Sequence, residues 1–158
     1  MRAYRVVVGV DGTEAGGRAL RWAVREAAAH CGVVTAVAAW HAEDFDRPTD
    51  ADLDVERLRA LRLLRAAVRE AHDTEPAVPV HSVAEYGRPG PVLLESARGA
   101  DLLVLGSHGY ARLFPAAHGT TAGECVGVAS CPVVVLPELR PAGVATGRLT
   151  RQPAQRES

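Results

Sequence analysis

The sequence predicts a single open α/β domain, a parallel sheet with helices on both faces. Three observations carry this. Five β-rich runs alternate with helical periodicities between Arg5 and Leu136, in the order β-α-β-α-β-α-β-α-β; such alternation packs as parallel strands joined by crossover helices. One run, Leu102 to Leu105, is apolar at every position, as a strand covered on both faces must be. A glycine-rich segment, Gly106 to Thr120, follows it directly, where open α/β sheets place their ligand loops.

The elements follow in order. Arg5 to Val10 reads as a strand ending in Asp11-Gly12-Thr13, with Thr13 the expected N-cap of the first helix. Leu20, Ala23, Val24, Ala27 and Cys31 recur at helical spacing, and Gly32 is the expected stop. Val33 to Trp40 is a second buried strand, and His41 to Pro48 is polar and loop-like. From about Asp50 to His72 a long amphipathic helix places Leu58, Leu61, Leu64, Val68 and Ala71 on one face. Arg62, Arg65 and Arg69 lie opposite, beside Glu56 and Glu70, and read as a solvated face. Val78 to Ala84 is a third strand, placed at a sheet edge by Pro79. Pro91 suits the first turn of a short helix through Ala97. A helix from Thr120 to about Ala129 and a strand from Pro132 to Leu136 complete the domain, residues 1–139. The Pro-, Gly- and Arg-rich tail, residues 140–158, is expected to be disordered.

Composition narrows the function. A chain of 158 residues buries about two-thirds of its surface on folding, so no metal or disulfide is required for a core. A net charge of −1 is not the footprint of a nucleic-acid or membrane-surface binder, and neither partner is expected. No apolar run reaches spanning length, and the N-terminus reads as a strand rather than a cleavable leader. Three cysteines, Cys31, Cys125 and Cys131, have no metal-like spacing. They are expected to be small core residues of a cytoplasmic protein. All 18 basic residues are Arg. The missing lysine excludes a Walker lysine, a Schiff base and a kinase-type lysine. A bound phosphate must then be met by backbone N–H groups, hydroxyls, Arg, His or a metal ion.

The glycine segment reads Gly106-Ser107-His108-Gly109, nine residues, then Gly119-Thr120-Thr121. Glycines let a backbone approach a ligand closely. The helix opening at Gly119-Thr120 offers free N–H groups to an anion, and the Thr120 and Thr121 hydroxyls can donate to phosphate or ligate Mg²⁺. Taken alone, the same glycines could serve only to make tight turns.

This Gly-x-x-Gly, nine residues, Gly-Thr spacing resembles the nucleotide loop of the ATP-binding members of the universal stress protein family. Val6 to Thr13 resembles that family's opening strand, Asp101 to Gly106 its fourth and Cys131 to Leu136 its last, so the likeness covers about residues 3 to 138. It implies a five-stranded parallel sheet in order 3-2-1-4-5, with Val10 and Asp11 facing Gly106 across one crevice. It further implies that Asp11 and the backbone near Ala39 hold adenosine. Gly106 and Gly109 would line the ribose and first phosphates, and Gly119, Thr120 and Thr121 the outer ones, with ATP as the ligand. His108, flanking the loop, is a phosphate contact or solvent-exposed, and with no lysine beside a triphosphate Mg²⁺ is the expected counter-charge. A homodimer through Val133 to Leu136 is implied as well. Two departures are visible. Pro115-Ala116-Ala117-His118 replaces a bulky aliphatic run, and Gly123 and Gly127 interrupt the following helix. Both imply a looser loop end and weaker phosphate affinity.

The other candidates are sparse. His108 and His118 lack a third ligand at metal spacing, so no metal site is expected. Arg112 could neutralise a phosphate or simply be solvated. Asp11 could instead cap the first helix. Trp22 and Trp40 read as core. Ser107 lacks a nucleophile-elbow sequence, and no catalytic residue is expected. The expected function is an ATP-binding, stress-response regulatory protein whose occupancy is the signal. The alternatives are a slow ATPase or nucleotide-processing enzyme on the same fold, and a dimeric interaction module with an empty site.

Overall fold

The computed structural model describes residues 2–41, 47–107 and 121–137. The expectations for His108, Gly109, Arg112, His118, Gly119 and Thr120, and for the tail, lie outside the described residues.

Nine elements alternate along the described chain: β1 (Arg5–Gly9), α1 (Glu14–Ala29), β2 (Val33–Trp40), α2 (Asp50–His72), β3 (Val80–Tyr86), α3 (Pro89–Ser96), β4 (Leu102–Gly106), α4 (Thr121–Val126) and β5 (Val133–Leu136). The strands form one parallel sheet in order β3-β2-β1-β4-β5, as the resemblance implied. The sheet's first strand in sequence order is therefore its central one. Val6 pairs with Val34 on one side and Leu102 on the other.

Alternate strand residues supply the two faces. Val6, Val8, Val34, Ala36 and Val104 pack under α1 and α2, with Leu20, Val24 and Leu64. Val7, Val37, Leu103 and Leu105 face the other way, against Leu93 and Ala97 at α3 and Cys125 of α4. β4 is buried at all four apolar positions, as its unbroken apolar run required. Among the described residues no helix is long and apolar enough to cross a membrane.

The helix starts obey their capping chemistry. Thr13 Oγ1 accepts from Gly16 N–H at 3.1 Å. Thr49 and Asp52 form a reciprocal capping box at α2, and the Thr49 hydrogen bonds hold the Asp52 carboxyl below its ordinary range.

Several details differ from the sequence reading. The buried stripe of α2 is Ala60, Leu64 and Ala71, with Leu63, Ala67 and Val68 beside it; Leu58 points outward, half exposed. β3 begins at Val80 rather than Val78 because Pro79 precedes the ladder and contributes its carbonyl to Val34 N–H at 2.9 Å. α3 begins two residues early, with Pro89 at its first position. α4 ends at Val126, ahead of a turn at Gly127. Trp22 and Trp40 are only partly buried at the rim of the larger core cluster.

Cys31 is the sharpest correction among the cysteines. It is exposed, with φ at +50°. It occupies the left-handed position that closes α1: Gly32 N–H reaches back to Ala27 O at 2.8 Å and Cys31 N–H to Ala28 O at 3.3 Å. Gly32 is needed for another reason, since a Cβ there would strike the Tyr4 carbonyl. Cys125 is buried as expected, and burial, with the Glu124 charge, pushes its thiol up to about 11. A thiol reagent at neutral pH is therefore expected to modify Cys31 rapidly and Cys125 only on unfolding. Equal labelling rates in native protein, measured by peptide mass, would contradict this placement.

Candidate functional site

β1 is joined to β2 through Gly9↔Val37, and Val10 N–H adds one last bond to Val37 O at 2.8 Å. Beyond that the chain turns away through Gly12, at φ +80°. β2 continues beside β3 to Trp40↔Tyr86. Trp40 directs its carbonyl at Gly87 N–H, 2.8 Å away on the β3 side. Backbone polar groups alternate sides along a strand, so Ala39 faces the space that β1 has left. On the opposite flank β4 runs to Gly106. This is where strand order reverses about β1, and a crevice opens there at the carboxyl ends of the strands.

The crevice is a cavity of about 140 Å³ lined by Gly9, Val10, Asp11, Val37, Ala39, Pro89, Leu93, Leu105, Gly106 and Thr121. The structure thus brings together Val10, Asp11, Ala39, Gly106 and Thr121 from the residues singled out in the sequence. The floor of Val37, Leu93 and Leu105 is apolar and suits a flat ring, while Asp11 and Thr121 are polar. Sequence reading missed this floor, together with Gly9 and Pro89. The Pro89-Gly90-Pro91 cluster is the available signal, of which the sequence reading uses only Pro91, as a helix start.

Asp11 is exposed, and its Oδ1 accepts from Thr13 N–H at 3.0 Å and Thr13 Oγ1–H at 2.6 Å. It does orient the cap of α1, one of the two readings its sequence position allowed. Gly16 makes room for it, since a Cβ there would stand 2.6 Å from the same oxygen. The carboxylate lines the cleft as well, so the two roles coexist.

Gly106 also has a structural role. A Cβ on it would stand 2.7 Å from the carbonyl carbon of Ala15 and 2.8 Å from its oxygen. β4 and the first turn of α1 therefore meet backbone to backbone. Ser107 follows, with its N–H on Leu136 O at 2.8 Å. Its hydroxyl is buried without a hydrogen-bond partner among the described residues. Glu124 is not in the cleft; its carboxylate pairs with Arg88 at 3.0 Å. Among the described residues no cluster of His, Cys, Asp or Glu is arranged to hold a metal ion.

The doubly wound sheet is an open α/β domain, and its crevice lies where such sheets place their ligands. The model of the Universal stress protein family matches residues 3–137. One universal stress protein of Mycobacterium tuberculosis is 32% identical over 134 residues, covering 83% of this chain and 47% of the relative. A solved universal stress protein in complex with cAMP superposes with a TM-score of 0.72 at 25% identity, covering 84% of this chain and 96% of that one. The universal stress protein UspA from Lactobacillus plantarum gives 0.69 at 26% identity, covering 86% and 99%. The chain belongs to the universal stress protein family. It spans about half the length of the curated relatives it matches.

Proposed function

We propose that the chain binds an adenine nucleotide in the cleft between β1 and β4, and that occupancy of this site is its regulatory signal in a stress response. The observation that carries the reading is the convergence of Val10, Asp11, Ala39, Gly106 and Thr121 on one crevice with an apolar floor. The solved relative in complex with cAMP supports adenine recognition. Asp11 and the Ala39 backbone take the adenosine end. Gly106, His108, Gly109, Gly119, Thr120 and Thr121 take the phosphates. With no lysine in the chain, a triphosphate needs Mg²⁺ to offset most of its charge, and MgATP is the proposed form.

The nucleotide-binding unit is residues 1–139, working in the cytoplasm as a homodimer. β5 is a sheet edge of four half-buried apolar residues, and an apolar edge left unpaired is a liability. Turnover is slow or absent in this proposal. The only carboxylate among the described cleft residues is Asp11, already engaged by Thr13, and hydrolysis needs a group to position water. The test is the nucleotide content of purified protein after denaturation, followed by calorimetry with ATP, AMP and cAMP, each with Mg²⁺ or EDTA. ATP binding that weakens in EDTA is expected. No heat with any of the three ligands would overturn the proposal, and steady-state hydrolysis near ~10 per second, the median enzyme rate, would make the chain an enzyme.

A further inference from the structure

Beside the apolar packing of Leu93 and Ala97 with Ala122 and Cys125, α3 and α4 are joined by one carboxylate. Glu124 Oε1 accepts from Arg88 Nη2 at 3.0 Å. Its other oxygen lies over the first turn of α3, so close that a Cβ at Gly90 would collide with it. Arg88 is the N-cap of α3 and makes no side-chain cap bond. The unsatisfied amides of a helix start favour a negative group, and Glu124 supplies one from another helix.

The same two helices wall the cleft. Pro89 adjoins Arg88, and Thr121 stands one turn before Glu124 on the same helical face; both line the cavity, whereas Arg88 and Glu124 do not. The ion pair thus ties together the two helices that carry Pro89 and Thr121.

We infer that Arg88 and Glu124 are positioning residues for nucleotide binding, a latch that fixes the cleft's width through Pro89 and Thr121; this rests on the nucleotide reading above. Its signature separates affinity from stability. Arg88 is 68% exposed, and exposed ion pairs contribute little to global stability. Gly90 is the more telling position. Alanine is the better helix residue, and the nearest atoms its methyl group would meet belong to the Glu124 side chain, led by the movable carboxylate end. Gly90→Ala should melt at or above the parent temperature yet bind more weakly, because Glu124 is displaced.

The experiment compares parent, Arg88→Gln, Glu124→Gln, the double variant, Arg88→Lys and Gly90→Ala. MgATP calorimetry and thermal melting are read together. The two glutamine variants are expected to weaken binding about two- to tenfold, with the double variant no weaker than either single. Arg88→Lys should keep parent affinity, and melting should stay unchanged in all but Gly90→Ala. Parent affinity in both glutamine variants, or losses that add in the double, would overturn the latch. Amide exchange without nucleotide supplies an independent readout. Glu124→Gln should speed exchange of the Val92 and Leu93 amides in α3 and of Thr121–Val126 in α4 together, leaving α1 unaffected. If the parent binds no nucleotide but this coupled loosening is seen, the latch stands and the nucleotide reading fails; if exchange is unchanged, the latch fails.

Discussion

Gly106→Ala is expected to destabilise the fold by about 1–3 kcal/mol, the usual cost of forcing a methyl group into a packed site. Two effects compete. Removing a glycine stiffens the unfolded chain and by itself stabilises by about 0.4–1 kcal/mol where the backbone accepts the new residue. Against it stands the approach of 2.7–2.8 Å to the Ala15 carbonyl. That obstacle is backbone in the first turn of α1, anchored by the Thr13 cap, and it cannot rotate away as a side chain would. The clash should win, lowering the melting temperature by roughly 2–10 °C for a chain of this size. Gly127→Ala is the control, because nothing lies within 4 Å of its added methyl. A Gly106→Ala melt at or above that of the parent would show that the two backbones do not meet as described.

Gly109→Val is expected to abolish nucleotide binding while leaving the melting temperature of the ligand-free protein close to that of the parent. Gly109 lies outside the described residues, so the expectation rests on the loop's spacing and composition. With no lysine in the chain, the phosphates are to be held largely by backbone N–H groups. Such a cradle is more sensitive to bulk that blocks approach than to the loss of one polar group. Thr120→Ala, which removes a single hydroxyl, should cost about 0.5–1.5 kcal/mol, roughly two- to twelvefold in affinity. Calorimetry with MgATP separates the two. If Gly109→Val binds as tightly as the parent, the loop is not the phosphate site and the empty interaction module becomes the better reading.

The sheet was legible because β1, β2 and β5 are valine-rich runs and β4 is apolar at every position before its glycine. Leu102 to Leu105 could be read as a central strand from four residues, and the strand order came with the family likeness. The outward turn of Leu58 was not legible, since the helical period admits either register and only the packing of Ala60 and Leu64 on the sheet decides it. Cys31 failed similarly. Its spacing continues the buried stripe, but the helix closes before it, and Gly32 is committed to Tyr4. In the site, the polar and glycine residues were readable from local motifs. The apolar floor was not, because Val37, Leu93 and Leu105 come from three elements and look like ordinary core residues until the sheet brings them together.

The position of β1 at the centre of the sheet has a consequence for how the chain is made. β2 follows β1 after a single helix and can pair with one edge of it soon after both are made. The other edge must wait for Leu102 to Val104, most of a domain later. In the interval a strand of three valines carries an unpaired flank, and long-range pairing of this kind is slow and exposed to aggregation. Nascent chains stalled before β4 thus keep that valine edge open to pairing with another chain.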